Sequence, residues 1–199
     1  YMFKSKGLKV ASNDRLRFAY HTARAIIENT ETKLDDDDIS KLCQPNPRAG
    51  AFVQEHFKGV FYSDEVNAAI DLVRSNIDAL TGYKRDIALA ALARACLTAK
   101  GGFGHFTAVS NDMSGSKEGF FEDFAEAARK FGDLVFDNGK ECRAHRKDVL
   151  EFLPAVDGDL AYFDPPYATE FSTTNYEKAY HFIERSEEHT SELQSRITI

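Results

Sequence analysis

A short apolar run that ends at two consecutive prolines restricts what this chain can fold into. Residues 160–163, Leu-Ala-Tyr-Phe, lead directly into Asp164, Pro165, Pro166 and Tyr167. An apolar run of this length is typical of a buried strand, and it ends there because proline cannot donate the next ladder hydrogen bond. The pattern predicts a strand that delivers an acid and an aromatic ring into a loop. An ordinary proline turn after a structural strand is the alternative.

The same loop has the groups needed to methylate the amino group of a nucleobase. The exocyclic amine of adenine is a poor nucleophile because its lone pair is delocalised into the ring. The Asp164 carboxylate and the Pro165 carbonyl, whose direction the dihedrals of Pro165 and Pro166 fix, can accept both N–H groups and localise that lone pair. Tyr167 can stack on a base that has left the duplex. Such catalysis works by positioning and electrostatics, without a covalent intermediate.

A second acidic residue follows a possible strand near the start of the sequence. Residues 8–14 predict a short strand ending in Asp14, followed by a helix to about Asn29. The predicted buried face of that helix consists of Leu16, Ala19, Tyr20, Ala23 and Ile27. In nucleotide-binding α/β folds, an acid after the second strand accepts hydrogen bonds from the ribose hydroxyls. Asp14 is therefore either a ribose ligand or a helix N-cap.

Four segments carry a family resemblance: residues 134–139, 146–150, 160–167 and 171–182. They resemble the C-terminal half of the Dam-like class of DNA adenine N(6)-methyltransferases, which use S-adenosylmethionine. Members of this class carry an acid near the cofactor adenine, shortly before the catalytic strand, and the resemblance gives Asp148 that role. The alternative is an N-cap for a helix over residues 149–153, and one residue can serve both purposes.

The resemblance implies a fold, a reaction and partners. The expected fold is α/β: a partial S-adenosylmethionine-dependent methyltransferase (Rossmann-like) fold with a helical insertion. The methyl donor would be S-adenosylmethionine, the substrate double-stranded DNA in the cytoplasm, and a cognate restriction endonuclease a candidate partner. The expected domains are a partial cofactor-binding half at 1–30, a helical target-recognition insertion at 31–131 and a catalytic half at 132–184.

Helical patterns fill the insertion. Ser63 is the predicted N-cap of a helix that ends before Gly82. The apolar face of that helix consists of Val66, Ile70, Val73, Ile77 and Leu80. Further helices are predicted over residues 87–99 and 119–130. The residues of the connecting loops that we expect to contact DNA are Lys100, His105 and Lys117.

Both ends of the sequence limit the resemblance. Counting back about 20 residues from Asp14 places the family's F-x-G-x-G element before residue 1, and the glycine cluster at 101–104 follows a helix and predicts a turn. Residues 185–195 match the in-frame translation of a common sequencing adapter. We therefore expect residues 185–199 to be a sequencing artefact, not native, and this fragment to be inactive by itself.

Composition and charge narrow the classes of function. The net charge of −7 is unusual for a DNA enzyme, but the charges are segregated. The acidic run at 35–38 predicts a solvated loop or helix start in preference to a metal site. A basic cluster, either a phosphate contact or a solvated strand edge, consists of Lys140, Arg143, His145, Arg146 and Lys147.

The remaining patterns predict packing and no metal chemistry. The three cysteines, Cys43, Cys96 and Cys142, are scattered and predict reduced packing thiols. No stretch has the pattern of a signal peptide or a membrane span. Phe171 is a candidate for the wall of the base pocket, and Tyr176 and Tyr180, four residues apart, would share a helix face beyond the catalytic loop. Packing is the alternative for all three.

Two other functions fit the same residues. Asp-Pro-Pro-Tyr also serves amino methylation of cytosine and of RNA bases, so the target base follows from the resemblance and not from the spacing. The chain can also be a non-catalytic DNA-binding remnant whose catalytic strand survives only as structure.

Overall fold

A computed structural model describes residues 1–100, 106, 115–164 and 176–186. Within these residues helices predominate and the sheet has two strands. The α-helices are α1 (Met2–Ser5), α2 (Arg17–Ala23), α3 (Asp36–Leu42), α4 (Phe52–His56), α5 (Asp64–Ile77), α6 (Gly82–Lys100), α7 (Lys117–Asp133), α8 (Val149–Phe152) and α9 (Tyr176–Ser186). The strands are β1 (Ala11–Asn13) and β2 (Arg143–His145), and two further turns are a π-helical one at Arg24–Glu28 and a 3-10 one at Leu153–Ala155.

The helical insertion folds as its apolar periodicity predicts. Ser63 is the N-cap of α5, and its Oγ accepts a hydrogen bond from the Val66 amide at 3.2 Å. Four members of the predicted face of α5 are buried, and Leu80 beyond its end is half-buried. Helix α5 ends at Ile77, before Gly82 as predicted, and Gly82 begins α6, five residues before the predicted start of that helix. The Gly82 φ of +58° is a conformation that glycine adopts at low cost.

The core of the molecule lies in this insertion. Apart from Ala25, Phe182 and Ile183, the fully buried members of the main apolar cluster lie between Leu34 and Ala128. The buried Asp71 carboxylate, inside α5, accepts hydrogen bonds from the Val53 and Gln54 amides at the start of α4. Burying a charge is costly without such partners, so this contact fixes α4 against α5.

The acidic run and the cysteines take structural roles. Asp35 caps α3 in a reciprocal capping box with Asp38, and α3 begins at Asp36, as predicted for a helix start. No cluster of metal-ligating side chains occurs among the described residues. Cys96 and Cys142 are buried and Cys43 is half-buried, and all three are free thiols, which confirms the predicted packing role.

The sheet is parallel, and it is shorter than the sequence pattern indicates. Ala11 pairs with Arg143 and Asn13 with His145. The strand predicted over residues 8–14 is therefore confirmed only at its centre. The helix after it is interrupted: α2 passes into the π-helical turn, which ends at Glu28. Along its predicted buried face Ile27 is buried, whereas the other four residues are half-buried.

The prediction of a buried strand at residues 160–163 is wrong. In the structure these residues are not in a strand, and Leu160 and Tyr162 are both 75% exposed, with Phe163 at 60%. A strand needs a neighbour to pair its backbone, and β1 and β2 bond only each other within the part of the chain that the structure describes. The Tyr162 ring instead lies 6.4 Å from the Phe3 ring of α1.

The observed architecture is mixed α/β, with most of the helices in one block and a small parallel sheet beside it. This agrees with the predicted α/β class in two respects: the structure contains both helices and strands, and its strands are parallel. Across the described ranges, no helix is both long enough and apolar enough to span a bilayer.

Candidate active site

The parallel pairing brings two of the predicted cofactor ligands to one edge of the sheet. Asp14 follows the last residue of β1, and Asp148 lies three residues after β2. Parallel strands end at the same edge, which is where α/β folds bind ligands. The Asp14 amide continues the ladder by donating to the His145 carbonyl at 3.2 Å. Both acids therefore lie in loops that leave the carboxyl ends of the two strands.

Asp14 organises the turn between β1 and α2. Its Oδ1 accepts a hydrogen bond from the Leu16 amide at 2.8 Å, and the residue is exposed. Leu16 itself occupies the N-cap position of α2, so Asp14 supports the helix start from just outside the helix. The contact resembles the predicted capping role, and the ribose-binding role stays a prediction.

Asp148 is the N-cap of α8, as its alternative interpretation predicted. Its Oδ1 accepts from the Leu150 amide at 3.0 Å. Its Oδ2 lies 3.8 Å from the guanidinium of Arg15, the residue that follows Asp14, and both side chains are well exposed. An ion pair of this kind contributes little to stability, but it shows that the Asp14 turn and the Asp148 loop are neighbours. The adenine-binding role of Asp148 is untested by these contacts.

The Asp-Pro-Pro-Tyr segment at 164–167, predicted to be catalytic, is described only at its first residue. Asp164 is exposed at the end of the range 115–164, two residues after Tyr162. Pro165, Pro166 and Tyr167 lie outside the described residues, as does Phe171. The structure therefore brings Asp14 and Asp148 together and places Tyr162, two residues before Asp164, beside α1. The geometry of the Asp-Pro-Pro-Tyr segment stays a prediction.

Helix α9, which follows the catalytic loop, is anchored in the helical insertion. Phe182 is fully buried among the rings of Phe57, Phe61 and Phe106, at centroid distances of 4.7 to 5.3 Å. Glu184 Oε1 accepts from the amide of Phe18 in α2 at 3.1 Å. Helix α9 is therefore packed against the apolar core of the insertion.

The tyrosine candidates and the predicted DNA-contacting residues are described only in part. Lys100 and Lys117 are the last residue of α6 and the first of α7, so the prediction that they lie in loops is wrong. Tyr180 packs its ring 5.2 Å from that of Phe18, which confirms its packing interpretation, whereas the side chain of Tyr176 is outside the description. Lys100 and Lys117 place their ammonium groups 5.2 Å and 5.4 Å from aromatic ring centroids. Burial lowers the pKa of Lys100. His105 lies outside the described residues, and none of these contacts tests the predicted DNA-binding roles.

A partly buried polar network that the sequence analysis missed connects the helical insertion to the sheet. Asp86 of α6 accepts from His21 Nδ1 at 2.7 Å and from Arg24 Nε at 2.8 Å. Arg24 also donates to Glu28 at 2.9 Å, and the other Glu28 oxygen accepts from the Ala144 amide of β2, also at 2.9 Å. The chain of contacts runs from α6 through the π-helical turn to the sheet.

The charges around Arg24 favour the charged form of its guanidinium. Burial by itself lowers the pKa of Arg24, but the hydrogen bond and charge of Asp86, with the charge of Glu28, outweigh burial and raise it. The four-residue spacing of Arg24 and Glu28 is a signal that sequence inspection can find. The pairing of Arg24 with Asp86, 62 residues away, has no such signal.

The basic cluster extends from just before β2 to just after it, and its last two residues, Arg146 and Lys147, directly precede Asp148. Arg143 is paired with Glu141 at 2.6 Å, His145 is half-buried, and the exposed members are Lys140, Arg143, Arg146 and Lys147. The Lys147 backbone is hydrogen-bonded to the Asn13 side chain at the end of β1. This places positive charge next to Asp148, on the edge where the cofactor is expected.

Comparisons with known proteins agree with the family resemblance. The family model described as "D12 class N6 adenine-specific DNA methyltransferase" matches residues 1–198. A curated relative, the type II methyltransferase M2.HphI of Haemophilus parahaemolyticus, is 30% identical over 182 residues. That alignment covers 82% of this chain and 54% of the relative, so the chain spans about half the length of that protein. No solved structure matches the chain.

Proposed function

This chain belongs to the D12 class of N6 adenine-specific DNA methyltransferases, and from that premise we propose the activity of the protein it represents. That protein transfers the methyl group of S-adenosylmethionine to the exocyclic amine of adenine within a specific sequence of double-stranded DNA. The observation that carries the proposal is the family match over nearly the whole chain, which includes the Asp-Pro-Pro-Tyr sequence at 164–167.

Two described acids fit the adenosine half of the cofactor. Asp14 and Asp148 lie at the shared carboxyl edge of β1 and β2. A carboxylate offers about four acceptor sites, so each can hold its helix turn and still accept a hydrogen bond from a ligand. We assign the ribose hydroxyls to Asp14 and the adenine ring to Asp148. S-adenosylmethionine, when bound, supplies the electrophilic methyl group.

The residues of the catalytic loop prepare the nucleophile. We propose that the Asp164 carboxylate and the Pro165 carbonyl accept the two N–H groups of the target amine, which directs its lone pair out of the ring system. Pro166 restricts the backbone so that the Pro165 carbonyl keeps its direction. Tyr167 stacks on the flipped base and holds it in place. The loop thus contributes orientation and fixed dipoles, the two largest sources of catalysis for such a reaction.

We also propose a fold, a domain organisation and a cellular compartment for this protein. We retain a Rossmann-like methyltransferase core, with a cofactor-binding part at 1–30, a helical target-recognition insertion at 31–131 and a catalytic part at 132–184. Residues 185–199 remain assigned as a sequencing artefact. The protein would act on cytoplasmic DNA together with a cognate restriction endonuclease, and the exposed basic cluster near Asp148 would contact phosphates.

A pair of aspartate variants tests the assignment of the catalytic acid. The complete reading frame, obtained by sequencing the source DNA across both ends of this chain, is expressed with Asp164→Ala or with Asp159→Ala. We expect Asp164→Ala to lower methyl transfer to duplex DNA at least about 100-fold, because a preorganised acceptor is lost, while DNA binding persists. Asp159 is an exposed acid in the same segment and serves as the matched control. Full activity in the Asp164→Ala protein would contradict the assignment.

A further inference from the structure

The side chain of Asn13 connects the ends of the two strands. Its Nδ2 donates to the Lys147 carbonyl at 3.1 Å, and its Oδ1 accepts from the Lys147 amide at 3.0 Å. Both backbone groups of one residue are therefore bonded to one side-chain amide, 134 positions earlier in the chain. Asn13 is the last residue of β1, and Lys147 lies two residues beyond β2.

This contact takes the place of the next two bonds of the parallel ladder. In the ladder, the Arg143 amide donates to the Val10 carbonyl, and the Asp14 amide donates to the His145 carbonyl. Parallel strands bond through alternate residues, so the Lys147 amide would next donate to the Asp14 carbonyl. The Asn13 side chain accepts that hydrogen bond instead. The backbone at Asp14 is thereby released from the ladder and turns into α2.

The contact also fixes two neighbouring acids. Asp14 follows Asn13 directly, and Asp148 follows Lys147 directly. We propose that Asn13 is a positioning residue, which sets the separation of Asp14 and Asp148 so that both reach one bound adenosine group. The inference rests on the proposed function, because that function assigns the ribose to Asp14 and the adenine to Asp148.

Only an amide side chain of this length satisfies both Lys147 groups. Asparagine presents one acceptor and two donors, whereas aspartate presents acceptors alone and alanine presents neither. Asn13→Asp keeps the acceptor for the Lys147 amide and loses the donor to its carbonyl. Asn13→Ala loses both.

The chain contains a matched control at the opposite end of the sheet. Asn138 Nδ2 donates to the carbonyls of Lys4 and Leu8, at 3.1 Å and 2.9 Å. Asn138→Ala therefore also removes two side-chain hydrogen bonds to the chain before β1, together with the one that Asn138 Oδ1 accepts from the Lys140 amide at 3.1 Å. These contacts lie at the amino ends of the strands, away from both acids. A merely structural role for Asn13 predicts that the two alanine variants behave alike.

The experiment uses the protein encoded by the complete reading frame, labelled with ¹⁵N, and adenosine as the probe, since adenosine carries the groups assigned to both acids. For Asn13→Ala we expect the Lys147 amide to lose its protection from hydrogen exchange. We also expect the Kd for adenosine to rise about 10-fold, on the scale of two lost hydrogen bonds. For Asn138→Ala we expect a loss of thermal stability similar to that of Asn13→Ala, but no change in the Kd for adenosine. Asn13→Asp should lie between wild type and Asn13→Ala in its Kd, with the Lys147 amide still protected.

The outcomes separate this inference from the proposed function. The positioning role would be overturned if the wild type and Asn13→Ala bound adenosine with the same affinity, or if Asn138→Ala lost as much affinity for adenosine as Asn13→Ala. In either case the cofactor site would stand. An unprotected Lys147 amide in the wild type would overturn the contact itself. If the wild type has a protected Lys147 amide but does not bind adenosine, the cofactor site is contradicted, and with it the positioning role. The hydrogen bonds between Asn13 and Lys147 would still be confirmed.

Discussion

The helical insertion and the sheet half of this molecule bury their apolar side chains to very different extents. Within the described residues, every exposed large apolar side chain lies at 1–8 or 149–163, in the segments around the sheet: Tyr1, Met2, Leu8, Val149, Leu150, Leu153, Leu160, Tyr162 and Phe163. The described part of 31–131 contains none of them. The insertion, with α9 packed into it, has an apolar core of its own.

The difference follows from how each kind of element satisfies its backbone. A helix bonds its own N–H and C=O groups, so an amphipathic helix needs only an apolar surface to pack against. A strand needs a neighbouring strand as well. The insertion meets its requirement with helices close in sequence. The described residues of the sheet half contain two strands, whose paired residues Ala11 and Arg143 are far apart in the chain, and leave the run at 160–163 in solvent.

The largest effect should come from a matched pair of phenylalanine variants. Phe124 in α7 is 0% exposed, and Phe163 is 60% exposed. We expect Phe124→Ala to lower the free energy of unfolding by about 3–5 kcal/mol, because it removes apolar burial and leaves a cavity. Phe163→Ala should change it by no more than about 0.5 kcal/mol. Urea unfolding followed by circular dichroism measures both.

Equal losses in the two variants would remove the contrast between the regions. A large loss for Phe163→Ala alone would mean that the run at 160–163 is buried in solution, as the sequence pattern first indicated.

The next effect concerns the contact between the two regions. Asp86 of the insertion holds Arg24 and His21, and Arg24 leads through Glu28 to β2. We expect Asp86→Ala to cost about 2 kcal/mol, because the partly buried Arg24 guanidinium loses one of its two carboxylate partners while Glu28 remains. The measurement is a double-mutant cycle in urea with Arg24→Ala. Additive effects of the two substitutions would show that the regions are not coupled through this pair.

The smallest effect is a pH dependence of the free energy of unfolding that arises from one residue of the insertion, Cys43. Burial raises the pKa of the Cys43 thiol from 9.0 to about 11. The unfolded chain therefore releases this proton at a lower pH than the folded chain does, so Cys43 lowers the free energy of unfolding as pH rises from 9 to 11 and has no effect below 9. The loss is small because Cys43 is only half-buried.

The comparison of wild type with Cys43→Ala across that pH range isolates the thiol from the other groups that titrate there. We expect the wild type to lose more stability than the variant. Identical pH profiles would contradict the burial of Cys43.

Local signals made parts of the fold predictable. Ser63 as an N-cap, the buried face of α5 and the helix start at Asp35 depend on residues within a few positions of one another. Asp148 as an N-cap belongs to the same group. Each was accessible from the sequence because the partners are close along the chain.

Contacts between distant residues were not predictable from one sequence. The pairing of Asp86 with Arg24 and of Asn13 with Lys147 joins positions 62 and 134 residues apart. The prediction of a strand at 160–163 was wrong for a related reason, because its apolar character indicates burial but does not supply a strand to pair with. The candidate site was therefore found by its motif and by resemblance, whereas the contacts that hold Asp14 and Asp148 in place required the structure.

Nucleoside analysis of DNA tests the central claim most directly. Genomic DNA from cells that express the complete reading frame is digested and examined by mass spectrometry, beside DNA from cells that express the Asp164→Ala protein. The account predicts N6-methyladenine above background with the wild type and not with the variant. Methylation of cytosine amino groups instead, or unmodified DNA with a folded wild-type protein, would contradict it.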